Sequence, residues 1–350
     1  MTNAKLMGRK RLLSHFSAGD LLFLFFSIFC LCLILRNSEL AISSIHRGLL
    51  LCARTVIPSL FPFMVLSEWM INGGIERFFP KKLLLLGEKL LGFSPSAFCA
   101  ILLGAVCGFP VGAKCLCLAY RKGGIGKREL ERGLALSSNP SSAFLISAVG
   151  VSLWGSRRFG MVLYATVLAS SLLYGLVAWR FQRKREPKRT FTTSPDVPPQ
   201  NVRGVRLFTD SVFSATASML SVCAYILFFS ALMGCLGMLV THLGASAAVG
   251  TGLFCIFELS GGISAAAGLQ DPMLAAWLTA FAAGWSGISV HCQILSVCDS
   301  VCKKEALSYR AYLFGKLAQG LLCSLLFGLI FWLFPQILLP DGSQNTGIPW

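Results

Sequence analysis

Ionisable and amide side chains interrupt stretches of this chain that are otherwise apolar: Glu68, Lys114, Glu258, His291 and Gln293. Inside a bilayer such groups are costly, so they mark a polar cavity, an ion or proton path, or a local pairing that satisfies them. Glu68 follows Pro58 and Pro62, and Lys114 follows Gly108-Phe109-Pro110-Val111-Gly112. For both, snorkelling to a membrane interface competes with a functional role. Glu258 immediately precedes Leu259-Ser260-Gly261-Gly262-Ile263-Ser264, and His291 and Gln293 follow Gly284-Trp285-Ser286-Gly287-Ile288-Ser289. There, local packing competes with solute binding.

Asn139-Pro140 has a sharper meaning. Asn is a favoured N-cap and Pro suits the first helical position, so a half-helix is expected to begin at this pair. Its free N–H groups and positive dipole end would face the interior and could hold an anionic or carbonyl-bearing solute. Ser137, Ser138, Ser141 and Ser142 surround it and point to a polar cavity, with a packing kink as the alternative. The expected solute-binding set is therefore Gly108, Pro110 and Gly112; Ser138, Asn139 and Pro140; Glu258 and Gly261; and Ser286, Ser289, His291 and Gln293. Ser138, Asn139, Ser286, Ser289, His291 and Gln293 are expected to line one cavity.

Other chemistry fits poorly. Gly284-Trp285-Ser286-Gly287 is similar to the Gly-x-Ser-Gly motif of rhomboid intramembrane proteases, with His291 nearby. Five residues along a regular helix separate the two side chains by roughly 140°, so no catalytic pair forms and no enzyme is expected. Gly123-Gly124-Ile125-Gly126-Lys127-Arg128 lacks the spacing of a P-loop. The 14 cysteines lie scattered along apolar segments and read as packing residues. Cys115-x-Cys117 and His291-Cys292 with Cys298 and Cys302 have no recognised zinc spacing, so neither metal nor cofactor is expected.

The elements that must position these residues are membrane helices. The chain is 55% hydrophobic and 13% charged, against roughly 25% charged in a soluble protein. Residues 159–179 carry no charge, and at about 1.5 Å per residue they cross a hydrocarbon core of roughly 30 Å. Residues 317–334 form a second clean span, and residues 21–35, after Arg9, Lys10 and Arg11, read as an uncleaved anchor helix. The net charge of +16 sits in short loops, as in Arg77, Lys81, Lys82 and Lys89, or Arg121, Lys122, Lys127, Arg128 and Arg132. That placement argues for cytoplasmic loops rather than nucleic acid.

Keeping both basic loops on one side requires residues 97–120 to fold at 108–112 and return as a re-entrant hairpin. Arg157 and Arg158 are an exception, falling outside. In the second half, residues 247–268 lack flanking Lys or Arg and should enter from outside. Each half then runs helix, hairpin, broken crossing and clean span: 49–72, 97–120, 134–153 and 159–179, then 211–240, 247–268, 275–297 and 317–334. The expected fold is an all-α polytopic membrane protein of two inverted repeats, transporter-like, with re-entrant hairpins and broken helices. Its parts are an anchor (1–36), a first repeat (37–180), a basic cytoplasmic linker (181–206), a second repeat (207–340) and an external tail (341–350). The hairpin tips at 108–112 and 261–264 should approach each other.

Val56-Ile57-Pro58-Ser59-Leu60-Phe61-Pro62-Phe63, Gly108-Phe109-Pro110-Val111-Gly112-Ala113-Lys114, Ser138-Asn139-Pro140 and Gly287-Ile288-Ser289-Val290-His291-Cys292-Gln293 occur in that order. Together they resemble the YlbJ type of sporulation integral membrane protein, within the wider nucleoside-recognition or Gate domain group. The resemblance covers about residues 45–335, with Phe109 where the family usually carries Tyr. It implies a part in spore formation, while the positive-inside rule expects a cell-membrane protein with its N-terminus cytoplasmic. Two function classes follow: a permease for a small polar solute at the repeat interface, or a non-transporting sporulation scaffold. The partners expected are the lipid bilayer and a small polar solute, with no nucleic acid; a homo-oligomer is left open.

Overall fold

The computed structural model is all-helical in the residues it describes, 18–74, 79–182, 204–302 and 307–335. Arg9, Lys10 and Arg11, most of the 181–206 linker and the 341–350 tail lie outside the described residues.

Helix α1 (Ala18–Arg36) is apolar on every side. Phe23 and Phe25 are more than two-thirds exposed, as a lipid-facing helix requires. Cys30, Leu33 and Ile34 dock it, against Ala41, Ala231, Leu232 and Cys235. Helix α2 (Ser38–Leu51) continues through a π-helical turn (Cys52–Val56) into α3 (Ile57–Asn72). Pro58 and Pro62 cannot donate to the preceding turn, and the widened π turn lies where that pattern is disturbed.

Helix α4 (Lys81–Leu91) meets α5 (Pro95–Cys107) at 93°. Left-handed Gly92 ends the first, and Ser94 caps the second by accepting from Ala97 N–H. At Gly108, φ is +80° and ψ −173°, a conformation reserved for glycine. The chain then folds back through a cis Phe109-Pro110 bond into α6 (Val111–Arg121). Gly104 and Gly112 face the Ser137 carbonyl so closely that a Cβ on either would lie 2.3 Å from its oxygen. Helix α7 (Lys127–Ser137), a break, a π-helical segment (Phe144–Leu153) and α8 (Arg157–Gln182) complete the first half.

Helix α9 (Gly204–His242) opens the second half. Helices α10 (Ala247–Phe257) and α11 (Leu259–Ala267) fold against each other, and a Cβ on Gly262 would lie 2.6 Å from the Cys255 Cα. The turn falls at Glu258, three residues earlier than the tip expected at 261–264. Glu258 accepts from Ser260 and Gly261 N–H and starts α11 there, leaving Gly261 inside the helix. Helices α12 (Pro272–Trp285) and α13 (Gly287–Cys302) form the second broken crossing, and α14 (Arg310–Leu333) follows. That last span begins before the 317 boundary read from composition, so Lys316 lies within it.

Five segments of the described residues are long and apolar enough to cross a membrane: Gly19–Arg36, Arg157–Phe181, Gly204–His242, Pro272–Cys302 and Arg310–Leu333. Counting α4 with α5 as one bent span makes six.

Candidate functional site

The first break is held from within the fold. Asn139 does not cap a helix, contrary to expectation. Ser141 takes that role, its Oγ accepting from Phe144 N–H at 3.2 Å. The Asn139 side chain turns the other way: Nδ2 donates to Leu136 O (2.8 Å) and Ser171 Oγ (3.3 Å), and Oδ1 accepts from Gln319 Nε2 (2.6 Å). Ser138, Asn139 and Pro140 are all buried. Lys316, with no exposed surface, donates to Ser138 O (2.9 Å) and Gln319 Oε1 (3.0 Å). The first hairpin tip closes on the same break, where Phe109 N–H donates to Asn139 O at 2.9 Å.

The second break is built from two consecutive left-handed residues, Ser286 (φ +76°) and Gly287 (φ +82°). Glycine adopts this readily; serine pays for it, which marks a site held by its surroundings. Gly287 packs on the second hairpin tip, and a Cβ there would lie 3.0 Å from Leu259 N. In both halves, therefore, the hairpin tip leans on the broken crossing. Trp285 Nε1 donates to Ile256 O (2.9 Å), closing the end of α10. His291 Nδ1 pairs with Tyr312 OH (2.8 Å), and its ring centroid lies 4.3 Å from that of Trp285.

Around this second break, buried polar atoms have no partner: Ser286 Oγ, Ser289 Oγ, His291 Nε2 and Gln293 Oε1. Native interiors leave few such atoms, and each asks for a ligand, a water or a strain argument. Ser286 and His291 make no hydrogen bond to each other.

A cavity of about 40 Å³ lies between the two hairpin tips. Phe109 borders it from the first tip and Glu258, Leu259 and Ser260 from the second, with Ser141 from the first break and Gln293 from α13. Val56, Leu60, Val222 and Ile226 supply apolar walls. Phe109 of the first turn and residues 258–260 of the second thus border one space, whereas residues 261–264, expected at the second tip, do not. Of the six residues expected to line one cavity with the tips, Gln293 does so; Ser138, Asn139, Ser286, Ser289 and His291 do not line this one. Gly108 and Gly112 act in the hairpin turn and its packing, as does Pro110.

Glu68 and Lys114 do not snorkel. They form a buried ion pair, and Lys114 Nζ also donates to Ser214 O (3.0 Å), Ser214 Oγ (2.8 Å) and Ser218 Oγ (2.7 Å). This ties α3 and α6 to α9. Cys117 and Cys298, both fully buried, bring their sulfurs to 3.5 Å across the α6–α13 contact. Among the described residues no group of three or more His, Cys, Asp or Glu side chains is arranged to hold a metal ion.

Lys316, Gln319 and Tyr312 were missed from sequence. They fall three or four residues apart with Cys323, so they share one face of α14, and that spacing was the available signal.

The helices and the site together define an all-helical membrane protein with broken helices meeting at a buried polar core. The chain is 22% identical over 347 residues to the sporulation integral membrane protein YlbJ of Bacillus subtilis (strain 168), covering 90% of this chain and 83% of the relative. It is thus a multi-pass integral membrane protein distantly related to a sporulation membrane protein. No family model matches the chain, and no solved structure matches it.

Proposed function

We propose that this protein serves spore formation as a permease-like membrane protein for a small polar solute, with its site between two inverted repeats. The observation that carries the reading is the cavity where two hairpin tips from different halves of the chain converge with Glu258 and Gln293. Irregular backbone at membrane depth is tolerated where it is packed in protein or lines a wet cavity. Paired interruptions in two halves are the sequence pattern of transporter sites. In the repeat reading, α5–α6 corresponds to α10–α11, the α7 break to the α12–α13 break, and α8 to α14. The hairpins are re-entrant in this reading, and the N-terminus and the 181–206 linker are cytoplasmic. No catalytic step is part of this reading.

The experiment is metabolite profiling of a deletion strain during sporulation, followed by uptake of the accumulated or depleted compounds in vesicles holding the purified protein. Uptake above empty vesicles supports the permease. Normal metabolite pools and no uptake oppose it.

One observation favours a scaffold instead. At the first break the Ser138 carbonyl and the Asn139 amide oxygen are taken by Lys316 and Gln319 rather than open to a solute. A sporulation defect with no transported compound, rescued by variants that keep those bonds, would support that alternative.

A further inference from the structure

We propose that Glu258 and Gln293 form a binding site for a sodium-sized monovalent cation in the cavity between the hairpin tips. The proposal rests on the permease reading, for which it names the class of coupling ion.

The argument begins with charge. Glu258 is 6% exposed, and its carboxylate accepts from Ser260 N–H at 3.1 Å, from Gly261 N–H at 2.5 Å and from the Ser260 side chain, all neutral donors. No basic side chain of the described residues is paired with Glu258. A buried carboxylate left ionised without a counter-charge is too costly to keep, so it takes up a cation or a proton.

The second observation is independent of the acid. Gln293, on a different helix, is 3% exposed and lines the same cavity, and its Oε1 has no hydrogen-bond partner. An orphaned carbonyl oxygen calls for an electropositive partner. Ser141 and Ser260 border the same space, so every polar side chain at the cavity can offer oxygen. Oxygen ligands suit hard cations. A single carboxylate balances one positive charge, and a divalent ion would keep an uncompensated charge in a low-dielectric interior. The volume of about 40 Å³ admits a dehydrated ion with a water or two, and no sugar or base.

The test measures thermal unfolding of the full-length protein in lipid nanodiscs, in sodium chloride and in choline chloride at equal ionic strength. Sodium should raise the wild-type Tm by on the order of 5 °C at about 100 times its dissociation constant. Glu258→Gln and Gln293→Leu should each lose that shift. Glu258→Gln should also unfold no earlier than wild type in choline, because the uncompensated charge is gone. Equilibrium binding of radioactive sodium to the wild-type protein supplies a measurement that needs no variant, with about one ion per chain expected.

Equal Tm in sodium and choline together with no bound sodium would overturn the site. So would a sodium shift that persists in both variants, or stabilisation by acid alone, which would mark Glu258 as a proton site. Uptake in vesicles holding the purified protein separates this from the permease reading. Sodium binding without uptake removes the permease and keeps the ion site; uptake indifferent to sodium, with no binding, removes the ion site alone.

Discussion

Gln319 donates from Nε2 to the Asn139 Oδ1 at 2.6 Å, joining residues 180 positions apart in the chain. The last long helix thereby holds the first half's interruption in place.

A double-mutant cycle on this pair should show coupling. Asn139→Ala and Gln319→Ala each leave a buried amide group short of a partner, costing about 1–3 kcal/mol. The double variant should cost less than the sum by roughly 1 kcal/mol. Additive unfolding free energies would show that the contact carries nothing. Asn139→Leu should insert normally into the membrane, since Leu is favourable there, yet lose function in a sporulation assay.

The Glu68–Lys114 pair should behave as a buried ion pair. Lys114→Met strands a carboxylate and should lower stability by about 3–5 kcal/mol. Adding Glu68→Met should recover most of that loss. Equal stability of the single and double variants in thermal unfolding would contradict the pairing.

Ser286→Ala should separate stability from function. Its hydroxyl is buried and unpartnered, so removing it should leave stability unchanged or raise it by about 1 kcal/mol. Sporulation or uptake should nevertheless fall, if a ligand or water uses that oxygen. Full activity with unchanged stability would make Ser286 a backbone device only.

Cys117 and Cys298 should cross-link. With sulfurs 3.5 Å apart, two thiols can give up two protons and two electrons to a small oxidant such as copper phenanthroline with oxygen. A protease site engineered into the 181–206 linker would then yield halves that stay joined on a non-reducing gel. Halves that separate after oxidation, in protein shown by thiol titration to have reacted, would place α6 and α13 apart.

The interruptions were legible because Gly and Pro announce them wherever they fall, and Gly108 and Gly287 do occupy positive-φ positions. The direction of the side chains was not. Asn139 looked like a cap because local chemistry favours it, but Ser141 satisfies the helix N–H groups and frees Asn139 for a partner 180 residues away. Sequence spacing carries no record of such a partner. Glu258, by contrast, fixes its turn through purely local bonds to Ser260 and Gly261, although glycines further on drew the eye. Lys316 was excluded by drawing the span edge at a charge. Helix α14 instead buries that charge on a backbone carbonyl of the other half. Helix α4 went unread because its Lys81, Lys82, Glu88 and Lys89 made it look like a loop.

The Lys114 cluster also sets an order of events in synthesis. Its carboxylate partner lies 46 residues earlier, while Ser214 and Ser218 lie 100 and 104 residues later. As the chain leaves the ribosome, Lys114 enters the membrane with Glu68 already waiting but with two hydroxyls not yet made. The Glu68–Lys114 pair can therefore neutralise its own charges early, but its shell of hydroxyls is complete only once α9 is in place. Birth of the second half is part of how the first one finishes folding.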